Sequence, residues 1–496
     1  MKRVVSTAVM RADDAETIRR GTSGRELMQR AATRVFESYA WQGPVAIVAG
    51  SGNNGGDGYA LGVLLHRAGI NCTVFVLSDS FSEDSAYYYG KCKEIGVKTA
   101  VFTEKTDFFA YTEIVDCIFG TGFRGTAEGL AACAIERINQ SEKIVISVDI
   151  NSGLNGDTGL SPLCVRSNVT FSIGSLKRGL LLNQAKDKIA LLQNLDIGIG
   201  SFGACSYLCE SKDFSEILAQ RAQNSHKGTY GYVSILGGCR EYAGAVKLAN
   251  LSCSALRAGC GVAQLILPES IAPSVAPYLL ESTLAMLPDR DGHMLFDAEQ
   301  LDRVLARQAA LAIGMGWGSS PENAKILQHV LQNYAIPVVI DADGLNTLAK
   351  MDPKFVKETS CRVVLTPHAK EMELLSGIPI AKILEDPIGC AEHLAEEWGV
   401  TVLLKGTCTV VTDGKITYLV NRGCTGMATA GSGDVLSGIL AGLLGYAPCE
   451  PLTVACGAYI AGLAGELAER DVNPISMLAS DTVAHIPLAI SKMMQR

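Results

Sequence analysis

Two glycine-rich segments, far apart in the chain, each combine a flexible backbone with a carboxylate. The first is Gly50–Gly58, sequence GSGNNGGDG, whose first six residues match the pattern G-x-G-x-x-G. The second is Gly431–Asp434, sequence GSGD, directly before the apolar run Val435–Leu444. Glycines let the backbone approach a phosphate, and a helix N-terminus offers free amides with a positive potential. Both segments therefore predict phosphate binding, although the first pattern alone also fits a tight turn.

Two other strand-like runs in the first half end in comparable loops. Residues 113–119 contain Asp116 and lead into a loop of sequence GTGFRGT, and residues 144–149 end in Asp149, which is followed by Ile-Asn-Ser-Gly. In open α/β sheets, ligands bind outside the carboxyl ends of the strands. We therefore expect these loops to converge on one site with Gly50–Gly58. The alternative is three independent turns with solvated acids.

The second half shows the same arrangement. The segment 405–409, sequence KGTCT, follows a predicted strand and is suited to nucleotide phosphates, and His368 follows another predicted strand within Thr-Pro-His. Residues 314–318 and 341–344 complete the predicted rim. Asp434 is placed to accept a proton from an attacking hydroxyl, or simply to cap its helix. This half therefore predicts a phosphoryl-transfer site.

Strand-like and helix-like runs alternate along the whole chain, which predicts α/β architecture with parallel sheets. The first predicted helix starts at Ser23, where Ser23 and Glu26 have the spacing of a capping box. A polar connection near 205–228 separates two alternations, so we predict domains at 1–213 and 225–496. Asp413-Gly414 between two short strands predicts a hairpin in the second domain.

Composition excludes several classes of protein. The chain has 496 residues, 48% of them hydrophobic, and a net charge of −8 without a block of Lys or Arg. Without a basic block we expect no nucleic-acid binding. We expect no membrane binding either, because the apolar runs 435–449 and 451–465 are shorter than the ~20 residues that a bilayer needs. The 16 cysteines contain no Cys-x-x-Cys pair, which favours reduced thiols in a cytoplasmic protein.

The first-half motifs resemble the NAD(P)H-hydrate epimerase family over residues 1–210. The resemblance implies a Rossmann-like three-layer domain that binds NADHX or NADPHX, the cofactors hydrated at C6, and interconverts their R and S forms. The implied substrate-binding residues are Asn53, Asn54, Gly55, Gly56, Asp57, Gly120, Thr121, Gly122, Phe123, Arg124, Gly125, Thr126 and Asp149.

The same resemblance assigns individual roles. Asn54, Asp116 and Ser152 would hold a potassium ion, and Asp149 would handle the proton during epimerisation. Lys177 is a second candidate for proton transfer, with a solvated surface position equally open. Asn151 stands where the family often has proline, which predicts a less rigid loop.

The second half, residues 225–496, resembles the ribokinase-like fold and, within it, the ADP- or ATP-dependent NAD(P)H-hydrate dehydratases. The motifs that carry this resemblance are His226-Lys227-Gly228 with Gly231, Gly237-Gly238 with Gly244-Ala245, Thr366-Pro367-His368, Lys405-Gly406-Thr407 and Gly426–Asp434. The resemblance implies that Asp434 deprotonates the 6-hydroxyl of S-NAD(P)HX, which takes a phosphoryl group from ADP, and that elimination of phosphate restores NAD(P)H. The implied residues are Ala258, Gly316, His368 and Asp434 for the hydrated cofactor and Lys405, Gly406, Thr407, Cys408, Thr409 and Gly433 for the nucleotide, with Mg²⁺.

Together these observations predict a bifunctional enzyme of nicotinamide cofactor repair. The family resemblance alone implies a homo-oligomer. Two alternatives are weighed against the repair enzyme. A vitamin or sugar kinase would use Gly-x-Gly-Asp for net phosphorylation of an alcohol. A nucleotide-sensing scaffold would bind ligand without turnover, and would leave Asp149 and Asp434 without a chemical role.

Overall fold

A computed structural model describes residues 1–253 and 257–495. The chain divides into two compact units, Lys2–Ser206 and Tyr207–Arg496. Each unit is a mixed α/β structure, as the alternation of runs predicts. The sequence-based domains, 1–213 and 225–496, remain a prediction about the parts that fold independently.

The N-terminal unit begins with a strand and a helix that the sequence pattern did not predict. Its strands are β1 (Lys2–Val5), β2 (Val45–Ala49), β3 (Cys72–Val76), β4 (Lys98–Val101), β5 (Glu113–Cys117), β6 (Ile144–Val148), β7 (Ser167–Ile173), β8 (Leu176–Lys177) and β9 (Ile189–Leu195). Its helices are α1 (Thr7–Arg19), α2 (Gly24–Glu37), α3 (Asn53–Arg67), α4 (Glu83–Ile95), α5 (Gly129–Gln140) and α6 (Ala185–Lys188). Ser23 caps α2 by accepting a hydrogen bond from the Glu26 amide, but α2 is the second helix, not the first.

Seven strands of this unit form one parallel sheet in the order β4-β3-β2-β5-β6-β7-β9. Strand β2 shows how the sheet is covered, because successive side chains point to opposite faces. Val45 and Ile47 pack in one buried cluster with residues of α2, α3 and α4, whereas Ala46 and Val48 pack in another with residues of α5. Helices therefore cover both faces, and the direction of chain connection reverses between β2 and β5. Ligand sites of such sheets lie at this switch point.

The C-terminal unit is built around a longer sheet. Its strands are β10 (Ser206–Leu208), β11 (Tyr232–Leu236), β12 (Val262–Pro268), β13 (Thr283–Leu287), β14 (Asp289–Arg290), β15 (His293–Met294), β16 (Ala310–Ile313), β17 (Pro337–Ile340), β18 (Arg362–Leu365), β19 (Thr401–Leu404), β20 (Thr409–Thr412) and β21 (Thr417–Val420). Its helices are α7 (Ala243–Cys253), α8 (Ala272–Val275), α9 (Ala298–Leu305), α10 (Pro321–Asn333), α11 (Asp343–Leu348), α12 (Lys354–Lys357), α13 (Ala369–Ser376), α14 (Ile380–Glu385), α15 (Pro387–Trp398), α16 (Ser432–Leu444), α17 (Pro451–Val472) and α18 (Ala479–Met494).

The sheet order is β13-β12-β11-β16-β17-β18-β19-β20-β21-β10. Pairing is parallel from β13 to β19, and β20 and β21 add an antiparallel hairpin. The predicted turn is confirmed: Gly414 has a φ of +85°, and Asp413 accepts hydrogen bonds from the amides of Lys415 and Ile416. The carboxyl ends of β16, β17, β18 and β19 therefore share one edge, where the predicted site residues lie.

Helix α17 passes the length and composition test for a membrane span, contrary to the expectation from the shorter apolar run 451–465. It has 22 residues, and 78% of its most apolar window is buried within the structure. A core helix of a folded domain passes the same test. The cysteines with described side chains are free, and most of them are buried.

Candidate active sites

The N-terminal unit has a cavity of about 880 Å³ at the switch point of its sheet. The predicted residues on its wall are Asn53, Asn54, Asp57, Gly120, Thr121, Gly122, Phe123, Arg124 and Asp149. The other predicted substrate residues, Gly55, Gly56, Gly125 and Thr126, are not part of that wall. The three strand-end loops thus meet at one site, as the sequence predicts.

Gly55 and Gly56 position the loop rather than line the cavity. A Cβ on Gly55 would lie 2.1 Å from the carbonyl oxygen of Gly50, and a Cβ on Gly56 would lie 2.4 Å from Met28 Cε and 2.7 Å from Ser85 Oγ. The backbone contact excludes a side chain at Gly55, and a side chain at Gly56 would require Met28 and Ser85 to move. The resulting close packing places the N-terminus of α3, with its positive potential, at the cavity.

Asp149 and Lys177 form an ion pair at this cavity. Lys177 Nζ lies 2.5 Å from Asp149 Oδ1, the lysine side chain is 0% exposed and the aspartate side chain is 15% exposed. The ammonium also donates to Ser172 Oγ at 3.0 Å and to the Ile173 carbonyl at 2.8 Å. The alternative of a solvated surface lysine is therefore wrong: Lys177 is a buried partner of the candidate catalytic carboxylate.

The backbone at Asp149 explains how the carboxylate reaches the cavity. Asp149 has a φ of +70°, in the left-handed region that side chains seldom adopt. Its Oδ2 accepts a hydrogen bond from the Thr121 amide at 3.2 Å. Because of this backbone turn, the Asp149 side chain does not continue the side-chain pattern of β6. It contacts the loop that follows β5 instead.

Two of the other carboxyl groups on the cavity wall, those of Asp57 and Asp14, have raised pKa values. Burial raises the pKa of Asp57 well above its usual range, with further increases from Asp149 and Asp14 and a decrease from Lys177. Burial, and then the charge of Asp149, also raises the pKa of Asp14. The site thus combines one lysine-paired carboxylate with two carboxyl groups biased toward the protonated form, a combination suited to moving protons.

The three residues assigned to potassium are linked through Ser152, which contacts both Asp116 and the Phe119 carbonyl that Asn54 also contacts. Asp116 is fully buried and accepts hydrogen bonds from Ser152 Oγ at 2.5 Å, the Ser152 amide at 2.9 Å and Ser147 Oγ at 2.8 Å. Asn54 Nδ2 donates to the Phe119 carbonyl at 2.8 Å, and Ser152 Oγ lies 3.5 Å from the same carbonyl. Asn54 Oδ1 is buried without a hydrogen-bond partner among the described residues. These oxygen donors suit a hard cation.

The loop after Asp149 is held firmly, contrary to the expectation from the missing proline. Asn151 is fully buried; its Nδ2 donates to the Val165 carbonyl and to Ser167 Oγ, both at 3.0 Å, and its Oδ1 accepts from Thr170 Oγ1 at 2.6 Å. Side-chain hydrogen bonds thus fix this loop in place of a proline ring.

In the C-terminal unit, Asp434 is the third residue of α16. The N-cap is Gly431, with a φ of +95°, so Asp434 is not the helix cap. A glycine cap has no side chain to occupy the first-turn amides, which leaves them available to an anion. Burial raises the pKa of Asp434 to about 7, with Asp341 and Asp343 adding to the rise and Lys405 opposing it. A carboxyl group with this pKa can act as a general base near neutral pH.

Lys405 is the cation of this site, and other carboxylates hold it. Its Nζ lies 2.9 Å from Asp341 Oδ1 and 3.6 Å from Glu371 Oε2. Burial disfavours the charge, but Asp341, Glu371 and Asp434 together raise the pKa of Lys405. Asp341 Oδ2 also accepts from Ser437 Oγ at 2.7 Å, which anchors the pair to α16.

The remaining residues predicted to bind the nucleotide are Gly433 and the loop 406–409. A Cβ on Gly433 would lie 3.5 Å from Asp341 Oδ2 and 3.6 Å from Lys405 Nζ, so Gly433 is next to the ion pair. Gly406 and Thr407 are exposed, Thr409 is partly exposed, and the Cys408 side chain is buried. The backbone and the Thr407 hydroxyl of this loop are thus accessible to a ligand, whereas the Cys408 thiol is not.

His368 has a structural contact in addition to its predicted role. It is the N-cap of α13, where Nδ1 accepts from the amides of Lys370 at 3.1 Å and Glu371 at 3.3 Å. Because Nδ1 is an acceptor, the proton of a neutral ring lies on Nε2, which is 3.3 Å from Glu371 Oε1. The side chain is 50% exposed. An isolated parallel β-bridge pairs the backbone of His368 with that of Lys405. His368 thus lies beside the lysine and remains open to a ligand.

Gly316 lies on the same carboxyl edge, but Ala258 does not. Ala258 precedes β12, which runs parallel to β11, so it lies at the amino edge of the sheet. Its carbonyl accepts a hydrogen bond from Tyr446 Oη at 3.4 Å. Tyr446 follows the C-terminal end of α16. At 1.5 Å per residue, that end of the helix is about 15 Å from Asp434. The side chain is 1% exposed. The structure thus places Ala258 apart from Gly316, and its role toward the hydrated cofactor stays a prediction.

Sequence reasoning gave no chemical role to Asp14, Asp341 or Glu371. Asp341 follows a buried strand directly, as Asp149 does, so the same signal identifies it. Glu371 has capping-box spacing from His368 and accepts from the His368 amide at 2.9 Å. Asp14 lies in α1, which has no clear apolar periodicity, and no local signal marks it.

Two family models match this chain, one in each half. Residues 24–179 match the family model described as YjeF-related protein N-terminus, and residues 233–488 match the model described as NAD(P)H-hydrate dehydratase. The bifunctional NAD(P)H-hydrate repair enzyme Nnr of Moorella thermoacetica is 35% identical over 492 residues, covering 94% of this chain and 92% of the relative. The Escherichia coli protein of the same name is 32% identical over 476 residues, covering 92% and 87%.

Solved structures match the C-terminal unit. An ADP/ATP-dependent NAD(P)H-hydrate dehydratase from Bacillus subtilis, co-crystallised with ATP/Mg²⁺, is 25% identical with a TM-score of 0.51, covering 58% of this chain and 99% of that one. A ribokinase-like superfamily protein from Enterococcus faecalis has a TM-score of 0.51 at 23% identity, covering 59% and 97%. The predicted ribokinase-like fold is thereby confirmed. With similarity to repair enzymes along nearly its whole length, the chain belongs to the bifunctional NAD(P)H-hydrate repair enzyme family.

Proposed function

We propose that this chain repairs hydrated nicotinamide cofactors through two reactions, one in each unit. The N-terminal unit interconverts the R and S forms of NADHX and NADPHX, and the C-terminal unit dehydrates the S form with ADP as phosphoryl donor. The observation that carries the proposal is that each unit places a carboxylate and a buried or half-buried lysine at the carboxyl edge of its sheet, in a chain similar throughout to repair enzymes.

In the N-terminal unit, we assign binding of the dinucleotide to the loops 53–57 and 120–126. Asp149 takes and returns the proton that epimerisation at C6 requires. Lys177 holds that carboxylate in place, because the 2.5 Å ion pair is buried and the ammonium is fixed by two further acceptors. Binding of substrate over the cavity excludes water, which strengthens these charge interactions.

The donor set of Asn54, Asp116 and Ser152 fits a potassium ion. The support is the buried Asn54 Oδ1 without a described partner and the fully buried Asp116 carboxylate. A bound potassium ion would supply positive charge to offset the buried carboxylate. The side chains themselves tie the loop after β5 to the loop after β6, through the contacts of Ser152 with Asp116 and with the Phe119 amide, which donates to Ser152 Oγ at 2.8 Å.

In the C-terminal unit, Asp434 removes the proton from the 6-hydroxyl of the S form while the hydroxyl oxygen attacks the terminal phosphorus of ADP. The phosphorus–oxygen bond to AMP breaks, and the first-turn amides of α16 stabilise the transferring group. Loss of phosphate from C6 then restores the double bond of NAD(P)H, so the products are NAD(P)H, AMP, phosphate and a proton. Lys405 and the 405–409 loop bind the nucleotide phosphates, while Gly316 and His368 contact the hydrated ring.

The choice of ADP as donor, with Mg²⁺ on the nucleotide, goes beyond the comparisons. The Bacillus subtilis relative is described as ADP/ATP-dependent and was crystallised with ATP/Mg²⁺. We also place the enzyme in the cytoplasm, because free cysteines are typical of reducing compartments. We expect it to form a homo-oligomer, which light scattering of the purified chain would test.

The deciding experiment uses the pure chain with mixed R- and S-NADHX, with ADP, with ATP and without nucleotide. We expect full restoration of the NADH absorbance with ADP and Mg²⁺, and equal amounts of AMP and phosphate. Restoration of only the S fraction would contradict the epimerase half. A stable phosphorylated product without NADH would instead identify a kinase, and ligand binding without any turnover would identify a sensor.

A further inference from the structure

A cluster of three metal-binding side chains lies outside the assigned roles of the C-terminal unit. Cys239 and Glu241 lie on the segment that follows β11, and His293 is the first residue of β15. The Arg240 amide donates to the Gly292 carbonyl at 3.2 Å, which holds the segment against the β14–β15 hairpin. The cluster therefore joins two elements that are distant in sequence.

The donor atoms of the cluster are close together. A sulfur, a carboxylate oxygen and a ring nitrogen, one from each residue, all lie within 4.8 Å of one another, and Glu241 Oε2 is 3.6 Å from His293 Nε2. The Cys239 side chain is fully buried, and its thiol hydrogen-bonds to Glu241. His293 Nδ1 is buried without a hydrogen-bond partner among the described residues.

A glycine keeps the space at this cluster open. A Cβ on Gly318 would lie 3.1 Å from Cys239 Sγ, 3.1 Å from His293 Cε1 and 3.3 Å from His293 Nδ1. Gly318 has a φ of +67°, so a larger residue is disfavoured there for backbone reasons as well. The sulfur and the imidazole thus face the same small gap.

Thiolate, imidazole and carboxylate are the donors of zinc sites, whereas Mg²⁺ prefers oxygen alone. Tetrahedral zinc, with bonds of about 2.0–2.3 Å, separates its ligand atoms by about 3.3–3.8 Å. The 3.6 Å between Glu241 Oε2 and His293 Nε2 already lies in that range. A pair of donor atoms at the upper limit of 4.8 Å would have to approach by about 1 Å to bind the same ion. We propose that Cys239, Glu241 and His293 form a binding site for Zn²⁺ or a similar divalent ion, with the fourth position open. Binding would release the thiol proton to solvent.

The test is titration of the full chain, freed of metal by chelation, with Zn²⁺ in a calorimeter. We expect one equivalent of Zn²⁺ to bind, and Co²⁺ in its place to give a thiolate-to-cobalt absorption band. Cys239→Ser and His293→Gln should each weaken binding by at least about 100-fold, since even indirect partners of a metal contribute 10–100-fold. Glu241→Gln changes an exposed side chain and should weaken binding while leaving the thermal unfolding curve unchanged.

Matched controls lie together on α15. Cys390 is partly exposed, and His393 pairs with Glu397 one helical turn later, so Cys390→Ser and His393→Gln remove the same donor types elsewhere. Both controls should bind Zn²⁺ like the parent chain. Parent-like binding by Glu241→Gln and His293→Gln, equal losses in the controls, or a bound Co²⁺ without the thiolate band would each overturn the site. These readouts are independent of dehydratase activity, so they do not depend on the proposed function.

Discussion

Replacing Asp434 by asparagine should slow dehydration and at the same time stabilise the C-terminal unit. The two side chains have nearly the same shape, so the substitution removes the charge and the proton-accepting ability but little packing. The carboxyl group is partly buried at the start of α16, close to Asp341 and Asp343, and its pKa is raised to about 7. An ionised carboxylate at this position therefore opposes folding.

The magnitude follows from the pKa difference between the folded and unfolded chain. A tenfold change in proton affinity is worth about 1.4 kcal/mol, so a rise from 3.8 to about 7 corresponds to roughly 4 kcal/mol. Because the folded form binds the proton more tightly, the penalty grows as the pH rises from about 4 to 7 and is constant above 7. Loss of a negative charge from a helix N-terminus offsets about 0.3–1 kcal/mol of this gain.

The same substitution should lower activity. Loss of a positioned general base costs about 10²–10⁴-fold in rate, so we expect ADP-dependent NADH formation to fall at least about 100-fold while R/S exchange continues. In the parent chain, kcat/KM for dehydration should rise with pH through about 7, as Asp434 ionises. Calorimetric ADP binding separates lost chemistry from lost binding.

Urea unfolding at pH 5 and pH 8, followed by the fluorescence of Trp317 and Trp398, measures the stability effect. Asp481→Asn is the control: this acid also lies in the first turn of a helix, α18, and accepts from the Leu478 amide at 2.8 Å. We expect Asp434→Asn to raise the unfolding midpoint above that of the parent chain, by more at pH 8 than at pH 5. The control should show no gain over the parent at either pH. Activity within a few-fold of the parent, together with no gain at pH 8, would refute the reasoning about this carboxylate.

Three further outcomes test the remaining assignments. Asp149→Asn should stop R-to-S exchange but leave S-NADHX dehydration intact, so NADH formation from a mixture stalls after the S fraction; continued conversion at the parent rate would mean that the first site is wrongly placed. Ser152→Ala should raise the potassium concentration for half-maximal epimerisation by about tenfold or more, measured at constant ionic strength, and an unchanged potassium response would exclude this ion site. Asp341→Asn should shift the rise of dehydratase kcat/KM to lower pH, because it removes a negative neighbour of Asp434 and frees Lys405; a profile that stays in place would contradict this coupling.

The sheet cores could be predicted from sequence because buried parallel strands are short continuous apolar runs. The prediction of a strand over residues 144–149 overruns β6, which ends at Val148. A hydrophobic pattern assigns the residue after an apolar run to the strand, whereas the backbone geometry at that residue can end the strand before it. At Asp149 the reason is visible, since a φ of +70° turns the chain out of the sheet.

Partners between distant segments could not be predicted, since spacing along the chain carries no information about them. The Lys177–Asp149 pair joins β8 to the end of β6, and nothing near Lys177 distinguishes a buried lysine from a solvated one. The edge strands β4, β9 and β13 were missed for a related reason. Their exposed residues interrupt the apolar pattern, so only pairing with a neighbour defines them.

The two units place their lysines differently relative to the candidate catalytic carboxylates. Lys177 is buried against Asp149 itself, so the candidate epimerase carboxylate has its countercharge at 2.5 Å. Lys405 instead pairs with Asp341 at 2.9 Å and Glu371 at 3.6 Å. Burial first, and then the charges of Asp341 and Asp343, raise the pKa of Asp434 to about 7, and Lys405 only partly opposes that rise. A base that must take a proton from an alcohol as phosphoryl transfer proceeds benefits from this higher proton affinity. Asp341 connects these groups: Oδ1 accepts from Lys405, Oδ2 accepts from Ser437 on the helix that carries Asp434, and its charge adds to the rise in the pKa of Asp434.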